Sequence, residues 1–323
     1  MKISFVATVF NEEKTIGYFL DSLFKQTKIP DEIIIIDGGS ADKTVNKIKS
    51  YPLRRSLGEA NSSKIKILVS PNSTIAQGRN IGIEKASGEI IAMSDAGCIL
   101  HKDWLEKITK PFIKDNVDIV AGFYRMTGSK SIQKALALYL GIPPKRFDQN
   151  KFLPSARSIA FSKSIWKKVG GFDEKLERAG EDTIFNYQAI KIGAKFYRVK
   201  DALVDWEVPK NLWDGFKKFY IYVKGDIEGG IWWHPKQQFS THNIKILSVF
   251  ARYITGGILL VFAFQHEFIR YILIGFILAY LAWPIWKTRD IVTDFRVKLW
   301  LPVVQISSDI AIILGAIFGI IKT

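Results

Sequence analysis

The sequence predicts an α/β fold, a mostly parallel sheet flanked by helices, followed by an interfacial segment and about three membrane-spanning helices. Three observations predict it. Short apolar runs alternate with amphipathic stretches along the first half of the chain, and such alternation implies a parallel sheet with helices on both faces. Three of those runs end in polar Asn, Asp and Gly residues, at the strand ends where open α/β sheets bind ligands. Charge then thins out: residues 244–323 hold eight Lys and Arg and four Asp and Glu, against 38 and 27 in the rest of the chain.

Ile3–Val9 reads as a strand that stops at Asn11-Glu12-Glu13, and Thr15–Gln26 carries Ile16, Phe19, Leu20 and Leu23 at helical spacing. Glu32–Ile36, with its run of isoleucines, is a buried parallel strand by composition and ends at Asp37-Gly38-Gly39-Ser40. Thr44–Ser50 follows as a helix, Ile65–Val69 as a strand and Ala76–Ala86 as a helix. Glu89–Met93 is the fourth strand, running into Ser94-Asp95-Ala96-Gly97. A helix over Lys102–Ile113 and a strand over Val117–Phe123 continue the pattern. Residues 127–154 contain an amphipathic helix, Ile132–Leu140, and a Pro143-Pro144-Lys145-Arg146 break, the composition of a mobile loop over a site. Ser158–Phe161 reads as a strand and Ser164–Val169 as a helix ended by Gly170-Gly171; Gly180-Glu181-Asp182-Thr183 then caps a helix running to Ile192, with Gly193 at its C-cap.

In the tail, residues 246–264, 268–286 and 299–321 are each apolar over about the 20 residues that a spanning helix needs. Arg252 interrupts the first, and an Arg near a helix end can snorkel to the headgroups. Asp309, in the third, requires a partner; Arg252 is a candidate, in an interhelical contact or in binding a lipid substrate. Lys287, Arg289, Arg296 and Lys298 crowd the connection between the second and third segments, whereas the other connection offers Arg270 at its edge. By the positive-inside rule the large N-terminal part is cytoplasmic and the C-terminus outside, an integral multi-pass arrangement. Ile3–Phe10 agrees, being too short for a signal-peptide core. Between the two regions, residues 209–243 form an amphipathic segment in which Trp213, Phe216, Phe219, Tyr220, Tyr222, Trp232 and Trp233 alternate with Lys217, Lys218 and Lys224. The aromatic stretch begins at Trp206, and such composition suits a bilayer interface.

At 323 residues and 48% hydrophobic content the chain is not disordered, and its formal charge of +15 points to anionic partners. Nucleic acid is disfavoured, because the basic residues accompany membrane-proximal aromatics and no recognised module is present. The single Cys98 excludes an internal disulfide and a Cys-based zinc cluster, and His234 has no second His or Cys at ligand spacing. Walker A and Gly-x-Gly-x-x-Gly motifs are absent. Nothing in the sequence sets an oligomeric state.

Ala7-Thr-Val-Phe-Asn-Glu-Glu, Asp37-Gly-Gly-Ser-Ala-Asp, Gly78-Arg-Asn-Ile-Gly, Ser94-Asp-Ala-Gly, Gly170-Gly-Phe-Asp-Glu and Gly180-Glu-Asp follow one another in the order found in glycosyltransferase family 2. Over about residues 1–225 the chain resembles that family of inverting transferases with the GT-A nucleotide-sugar fold, and the appended apolar helices look like those of members acting on lipid-linked acceptors. The resemblance implies a GT-A domain over residues 1–208, the interfacial segment over 209–243 and a transmembrane domain over 244–323. It implies a nucleotide-sugar donor, UDP- or GDP-linked, lined by Thr8, Asn11, Glu12 and Ser40, with Asp37 accepting from base NH groups and Arg79 reaching the base or diphosphate. Asp95 and Ala96 match the start of the family's Asp-x-Asp motif, so Asp95 would hold Mg²⁺ or Mn²⁺. Gly97 replaces the second carboxylate, which weakens that expectation and leaves metal independence open. Asp182 matches the catalytic base, with Glu181 before it. Arg157, Lys218 and Lys224 are candidates for phosphate binding, although the family's Gln-x-x-Arg-Trp motif is not present to set the register.

A base is needed by a hydroxyl acceptor and not by a phosphate, which is already an anion, so the Glu181-Asp182 pair favours transfer to a hydroxyl of a membrane lipid or lipid-linked glycan. A polyprenyl-phosphate sugar synthase, with an acceptor such as dolichyl phosphate, is the alternative within the fold. A catalytically inactive nucleotide-sugar-binding membrane scaffold is the alternative of another class, for which Gly97 is the main argument.

Overall fold

The computed structural model of the chain describes residues 1–51, 65–176, 179–231 and 242–322. In chain order its elements are β1 (Ile3–Val9), α1 (Ile16–Phe24), β2 (Glu32–Asp37), α2 (Thr44–Ser50), β3 (Ile65–Val69), α3 (Ile75–Lys85), β4 (Ile90–Met93), β5 (Cys98–Leu100), α4 (Trp104–Thr109), α5 (Pro111–Lys114) and β6 (Ile119–Thr127). There follow α6 (Ser131–Leu140), a 3-10 turn (Pro144–Arg146), β7 (Ile159–Ser162), α7 (Lys163–Val169), α8 (Glu181–Lys191), β8 (Phe196–Glu207), α9 (Leu212–Glu228), α10 (His242–Ala263), α11 (Glu267–Lys287) and α12 (Phe295–Lys322). Residues 1–126 and 146–207 form one compact unit, and residues 127–145 and 208–323 another.

The first unit is built on a sheet of strand order β3-β2-β1-β4-β7-β6-β8-β5. β3, β2, β1 and β4 pair in parallel, as their apolar composition requires of strands covered on both faces. β7 turns the sheet antiparallel against β4 and β6. Ile34, Ile36, Val6, Ile91 and Phe161 are fully buried in the core that α3, α7 and α8 cover. α3 lies close enough to β1 that a Cβ at Gly82 would stand 2.6 Å from Val6 Cγ1, and one at Gly78 would stand 3.0 Å from Thr8 Cγ2. Glycine at both positions therefore sets the depth of α3, and with it the depth of Arg79.

Three expectations change. The helix expected over 102–113 is two helices, because Pro111 removes a backbone donor and starts α5. β5 and β8 extend the sheet beyond the predicted strands, pairing Cys98 with Trp206 and Leu100 with Val204. Trp206 thus belongs to a strand and not to the aromatic junction. Residues 127–145, within the stretch expected to supply a mobile loop over a site, carry α6 and belong to the second unit. There Leu136 packs on α9, where a Cβ at Gly215 would meet its Cδ2 at 2.5 Å, and the Tyr139 hydroxyl donates to the Leu301 carbonyl of α12 at 3.2 Å.

Among the described residues of the second unit, three helices are long and apolar enough to cross a membrane: Ile244–Ala263, Glu267–Lys287 and Phe295–Ile321. Arg252 and Asp309 do pair: Nη2 donates to both carboxylate oxygens at 3.0 and 2.9 Å, and the Tyr280 hydroxyl donates to Oδ2 at 2.9 Å. Trp232, Trp233 and His234 lie outside the described residues.

Candidate active site

The carboxyl ends of β1, β2 and β4 carry the polar residues singled out above, and hydrogen bonds tie the first two together. Asn11 holds a left-handed backbone, φ 53°, a conformation Asn adopts more readily than most residues. That turn lets its N–H donate to Ser40 Oγ at 2.8 Å while its side-chain oxygen accepts from Ala41 N–H at 2.9 Å. The Glu12 N–H donates to Thr44 Oγ1 at 2.7 Å. Asp37 is buried, and its Oδ2 accepts from the N–H groups of Gly39 and Ser40 at 3.0 and 2.9 Å. Its Oδ1 is buried with no hydrogen-bond partner. A buried carboxylate oxygen left unmatched is costly, and a ligand NH group would satisfy it.

Arg79, on α3, is 2% exposed. Its Nη2 donates to Asp95 Oδ1 at 2.8 Å and its Nη1 to Glu181 Oε1 at the N-terminus of α8, while the guanidinium lies 5.7 Å from the centroid of the Phe172 ring. Burial opposes the guanidinium charge, but Glu181, Asp95 and Asp182 outweigh it and hold the proton more tightly than usual. Glu181 is also buried; burial pushes its carboxyl up, against the pull of Arg79, and the neighbouring Asp182 adds to the rise. Arg79, expected to reach the base or diphosphate of a donor, here reaches two carboxylates. Next to it, Asn80 donates to the Phe172 carbonyl and to Glu174 Oε1, each at 2.8 Å, and accepts from the Phe172 N–H at 2.9 Å. The Gly78-Arg-Asn and Gly170-Gly-Phe-Asp-Glu motifs are therefore two halves of one clamp.

Asp182 is half-buried, and its Oδ2 accepts from the Ala156 N–H at 3.1 Å. Arg157 stacks over the Trp206 and Tyr124 rings, 4.5 and 5.2 Å from their centroids, and its Nη1 donates to Ser155 Oγ at 3.1 Å. A Cβ at Gly97 would lie 4.0 Å from both Glu12 Oε1 and Trp206 Nε1. Glu12 and Trp206 thus flank position 97, Arg157 lies over Trp206, and Arg79 joins Asp95 to Glu181, the neighbour of Asp182, with Ala96 buried. Lys218 and Lys224 are on α9 in the second unit, where Lys218 Nζ lies 5.9 Å from the Tyr222 ring centroid and Lys224 Nζ lies 3.6 Å from Glu228 Oε1. Asn80, Tyr124 and Trp206 were not expected at the site. Asn80 stands inside a quoted motif, and Trp206 lies near the end of β8, where Ala202, Val204 and Trp206 are buried at period two.

No group of three or more His, Cys, Asp and Glu side chains is placed to hold a metal among the described residues. Asp95 and Glu12 nonetheless supply hard carboxylate oxygens on neighbouring strand ends, and Glu12 reaches the space that a side chain at position 97 would enter. A Mg²⁺-type ion is commonly bound by one or two carboxylates plus substrate phosphates, so this donor set fits an ion that arrives with a diphosphate.

A profile of the family described as glycosyl transferase family 2 matches residues 4–169. The chain is 24% identical over 212 residues to the uncharacterized glycosyltransferase EpsJ of Bacillus subtilis, covering 62% of this chain and 59% of that protein. It is 28% identical over 152 residues to the UDP-Glc:alpha-D-GlcNAc-diphosphoundecaprenol beta-1,3-glucosyltransferase WfgD of Escherichia coli, covering 47% and 54%. The chain thus spans less than two thirds of the length of these curated relatives. Among solved structures, the mannosyltransferase PcManGT from Pyrobaculum calidifontis, in complex with GDP-Man and Mn²⁺, is similar over 100% of this chain and 88% of that chain, with a TM-score of 0.69 at 15% identity. TarS of S. aureus is similar over 70% and 40%, with a TM-score of 0.51 at 19% identity. At such identities the likeness is one of fold.

Proposed function

The chain belongs to glycosyl transferase family 2 and is a glycosyltransferase, and from that premise we propose that it is an inverting enzyme transferring a sugar from a UDP- or GDP-linked donor to a hydroxyl of a membrane lipid or lipid-linked glycan, on the cytoplasmic face. The observation that carries this reading is Asp182. It stands at the head of α8, beside the buried Arg79–Glu181 pair, with one oxygen oriented by the Ala156 N–H. A carboxylate so placed can take a proton from an attacking hydroxyl. WfgD is named for a transfer onto a diphosphoundecaprenol-linked sugar, which fits a hydroxyl acceptor. The basic residues flanking α11 and α12 favour a cytoplasmic catalytic unit.

In the reaction, the acceptor oxygen forms a bond to the anomeric carbon as the bond to the donor diphosphate breaks, and Asp182 receives the hydroxyl proton. Asp37 receives base NH groups on its open Oδ1, and Asn11 and Ser40 hold the loops around it. Asp95, with Glu12 beside it, would hold Mg²⁺ or Mn²⁺, which when bound neutralises the leaving diphosphate. Arg157, fixed between two rings, offers its guanidinium to a donor or acceptor phosphate. Incubating the purified full chain with labelled UDP- and GDP-sugars, a lipid-linked saccharide and a polyprenyl phosphate tests the reading. Labelled saccharide is expected; labelled polyprenyl phosphate alone would assign the synthase activity, and nucleotide binding without turnover on any acceptor would assign a scaffold.

A further inference from the structure

Residues 152–158 lead into β7 with no regular secondary structure of their own, yet Phe152, Pro154, Ser155, Ala156 and Ser158 are buried. A buried backbone that joins neither helix nor sheet must find its hydrogen-bond partners elsewhere. Side chains supply several of them. Arg198 Nε, on β8, donates to the Phe152 carbonyl at 2.8 Å. At the other end, Ser158 Oγ accepts from Trp104 Nε1 of α4 at 2.8 Å and donates to the Ala202 carbonyl of β8 at 3.1 Å. Gly122 leaves the space for it, since a Cβ there would stand 2.1 Å from Ser158 Oγ. Both ends of the segment are thus fixed by α4 and β8.

The middle is held from α8. Asn186 Nδ2 donates to the Pro154 carbonyl at 2.7 Å, and two residues further on the Ala156 N–H donates to Asp182 Oδ2 at 3.1 Å. Asp182 and Asn186 stand one turn apart and so share a face of the helix. Phe185 and Ala189 meanwhile pack in the core, Phe185 against the rings of Phe161 and Phe172, which fixes α8 without help from the segment. Where α8 grips the carbonyl of residue 154 therefore decides where the N–H of residue 156 lies.

Stability alone does not account for Asn186. The residue is 1% exposed in the middle of a helix, and its Oδ1 is buried with no hydrogen-bond partner among the described residues. An amide paired at one end and orphaned at the other carries a desolvation cost. Leucine, of similar size and a better helix former, would remove that cost in exchange for an unpaired Pro154 carbonyl. What the amide adds is direction, a donor aimed at one carbonyl of an irregular segment.

We propose that Asn186 is a positioning residue for Asp182: by holding the Pro154 carbonyl it keeps the Ala156 N–H on Asp182 Oδ2, and so keeps that carboxylate oriented for the attacking hydroxyl. The proposal rests on the reading of Asp182 as the base. With Oδ2 engaged, Oδ1, which has a long contact of 3.4 Å with Thr183 Oγ1, is the oxygen that takes the proton. The backbone that carries Ala156 also carries Arg157 to its place over Trp206, so the segment sets base and guanidinium together. Asn186 acts through this segment and not on the substrate.

A double-mutant cycle on the purified full chain tests this, with a labelled UDP- or GDP-sugar and a lipid-linked saccharide at saturating concentration. A misplacement of about 1 Å can cost about 10²-fold in rate, so Asn186→Leu is expected to lower kcat by roughly 10- to 100-fold. The KM for the donor and the thermal unfolding temperature should stay close to those of the wild type, because the ends of the segment remain held. Asn186→Met, whose flexible side chain adapts to the same space, repeats the measurement should leucine fail to pack. In the Asp182→Asn background either substitution should lower kcat by less than about twofold, since the group being positioned has already lost its role. Equal losses in both backgrounds, or an unchanged kcat in the single variants, overturn the positioning role while leaving Asp182 as the base. Turnover retained by Asp182→Asn itself removes the base reading, and the proposal with it.

Discussion

Arg79 and Glu181, 102 residues apart in the chain, form a buried ion pair, and the same guanidinium holds Asp95 at 2.8 Å. One side chain thereby fixes the spacing between the strand end that carries Asp95 and the helix end that carries Asp182. Truncating one partner of a buried pair leaves the other charge uncompensated, at a cost of about 3–5 kcal/mol. Arg79→Ala is expected to lower the thermal unfolding temperature of the detergent-solubilised protein sharply. Arg79→Lys should recover part of that stability but little of the transfer activity, since a single ammonium cannot reproduce a fork reaching two carboxylates. Thermal unfolding followed alongside sugar transfer checks both; full activity in the lysine variant would remove the spacing role.

Asp182→Asn keeps the shape of the side chain and the acceptor for the Ala156 N–H, but removes the site that receives a proton. Transfer should fall by roughly 10²–10⁴-fold, the usual worth of a general base. Nucleotide affinity, measured by calorimetry on the same preparation, should be unchanged. Retained turnover would take Asp182 out of the mechanism.

Asp37 has one oxygen committed to its own loop and one open. Asp37→Asn can keep the first role and present an NH₂ group where the nucleotide base presents NH groups. Loss of a hydrogen bond to a charged acceptor, about 1.5–3 kcal/mol, predicts roughly 10- to 100-fold weaker binding of UDP or GDP. A thermal-shift titration with each nucleotide measures this directly, and an unchanged midpoint would place the base elsewhere.

The parallel strands and their polar ends were legible because each is a local signal: isoleucine runs are buried strands, and Asn11, Asp37 and Asp95 directly follow them. β5 and β8 were not, because a three-residue strand carries no period and the charges of β8, Arg198, Lys200, Asp201 and Asp205, mask its alternation. The partners of Arg79 were also out of reach. A helical position and a following Gly-rich motif show that the residue matters locally, while the identity of what it pairs with depends on how deep α3 sits, which Gly78 and Gly82 decide through the sheet.

Gly82→Ala tests that depth. Its new methyl group would begin 2.6 Å from Val6 Cγ1, too close for helix and strand to keep their present packing. Overpacking of this kind costs typically about 1–3 kcal/mol. Thermal unfolding should fall accordingly, and transfer should fall further than stability alone requires because Arg79 rides on the same helix; loss of stability with normal specific activity would uncouple the two.

Glu32 gives the first unit a distinct response to acid. It is buried at the start of β2, where its Oε1 accepts from the hydroxyls of Ser4 and Ser87, each at 2.6 Å, and its Oε2 from Lys66 at 3.2 Å. Burial alone would push the carboxyl up, but these hydrogen bonds outweigh it and bring it from the ordinary 4.5 down to about 2. A folded-state value below the unfolded one means that the unfolded chain binds the proton more tightly. The stabilisation from Glu32 is therefore complete above pH 4.5 and is lost as pH falls towards about 2. In Glu32→Gln that contribution is absent throughout. Between pH 5.5 and 2.5, the unfolding temperature of the wild type should consequently fall more steeply than that of the variant, the two curves converging at the acid end; parallel curves would show that the carboxylate is not the group responsible.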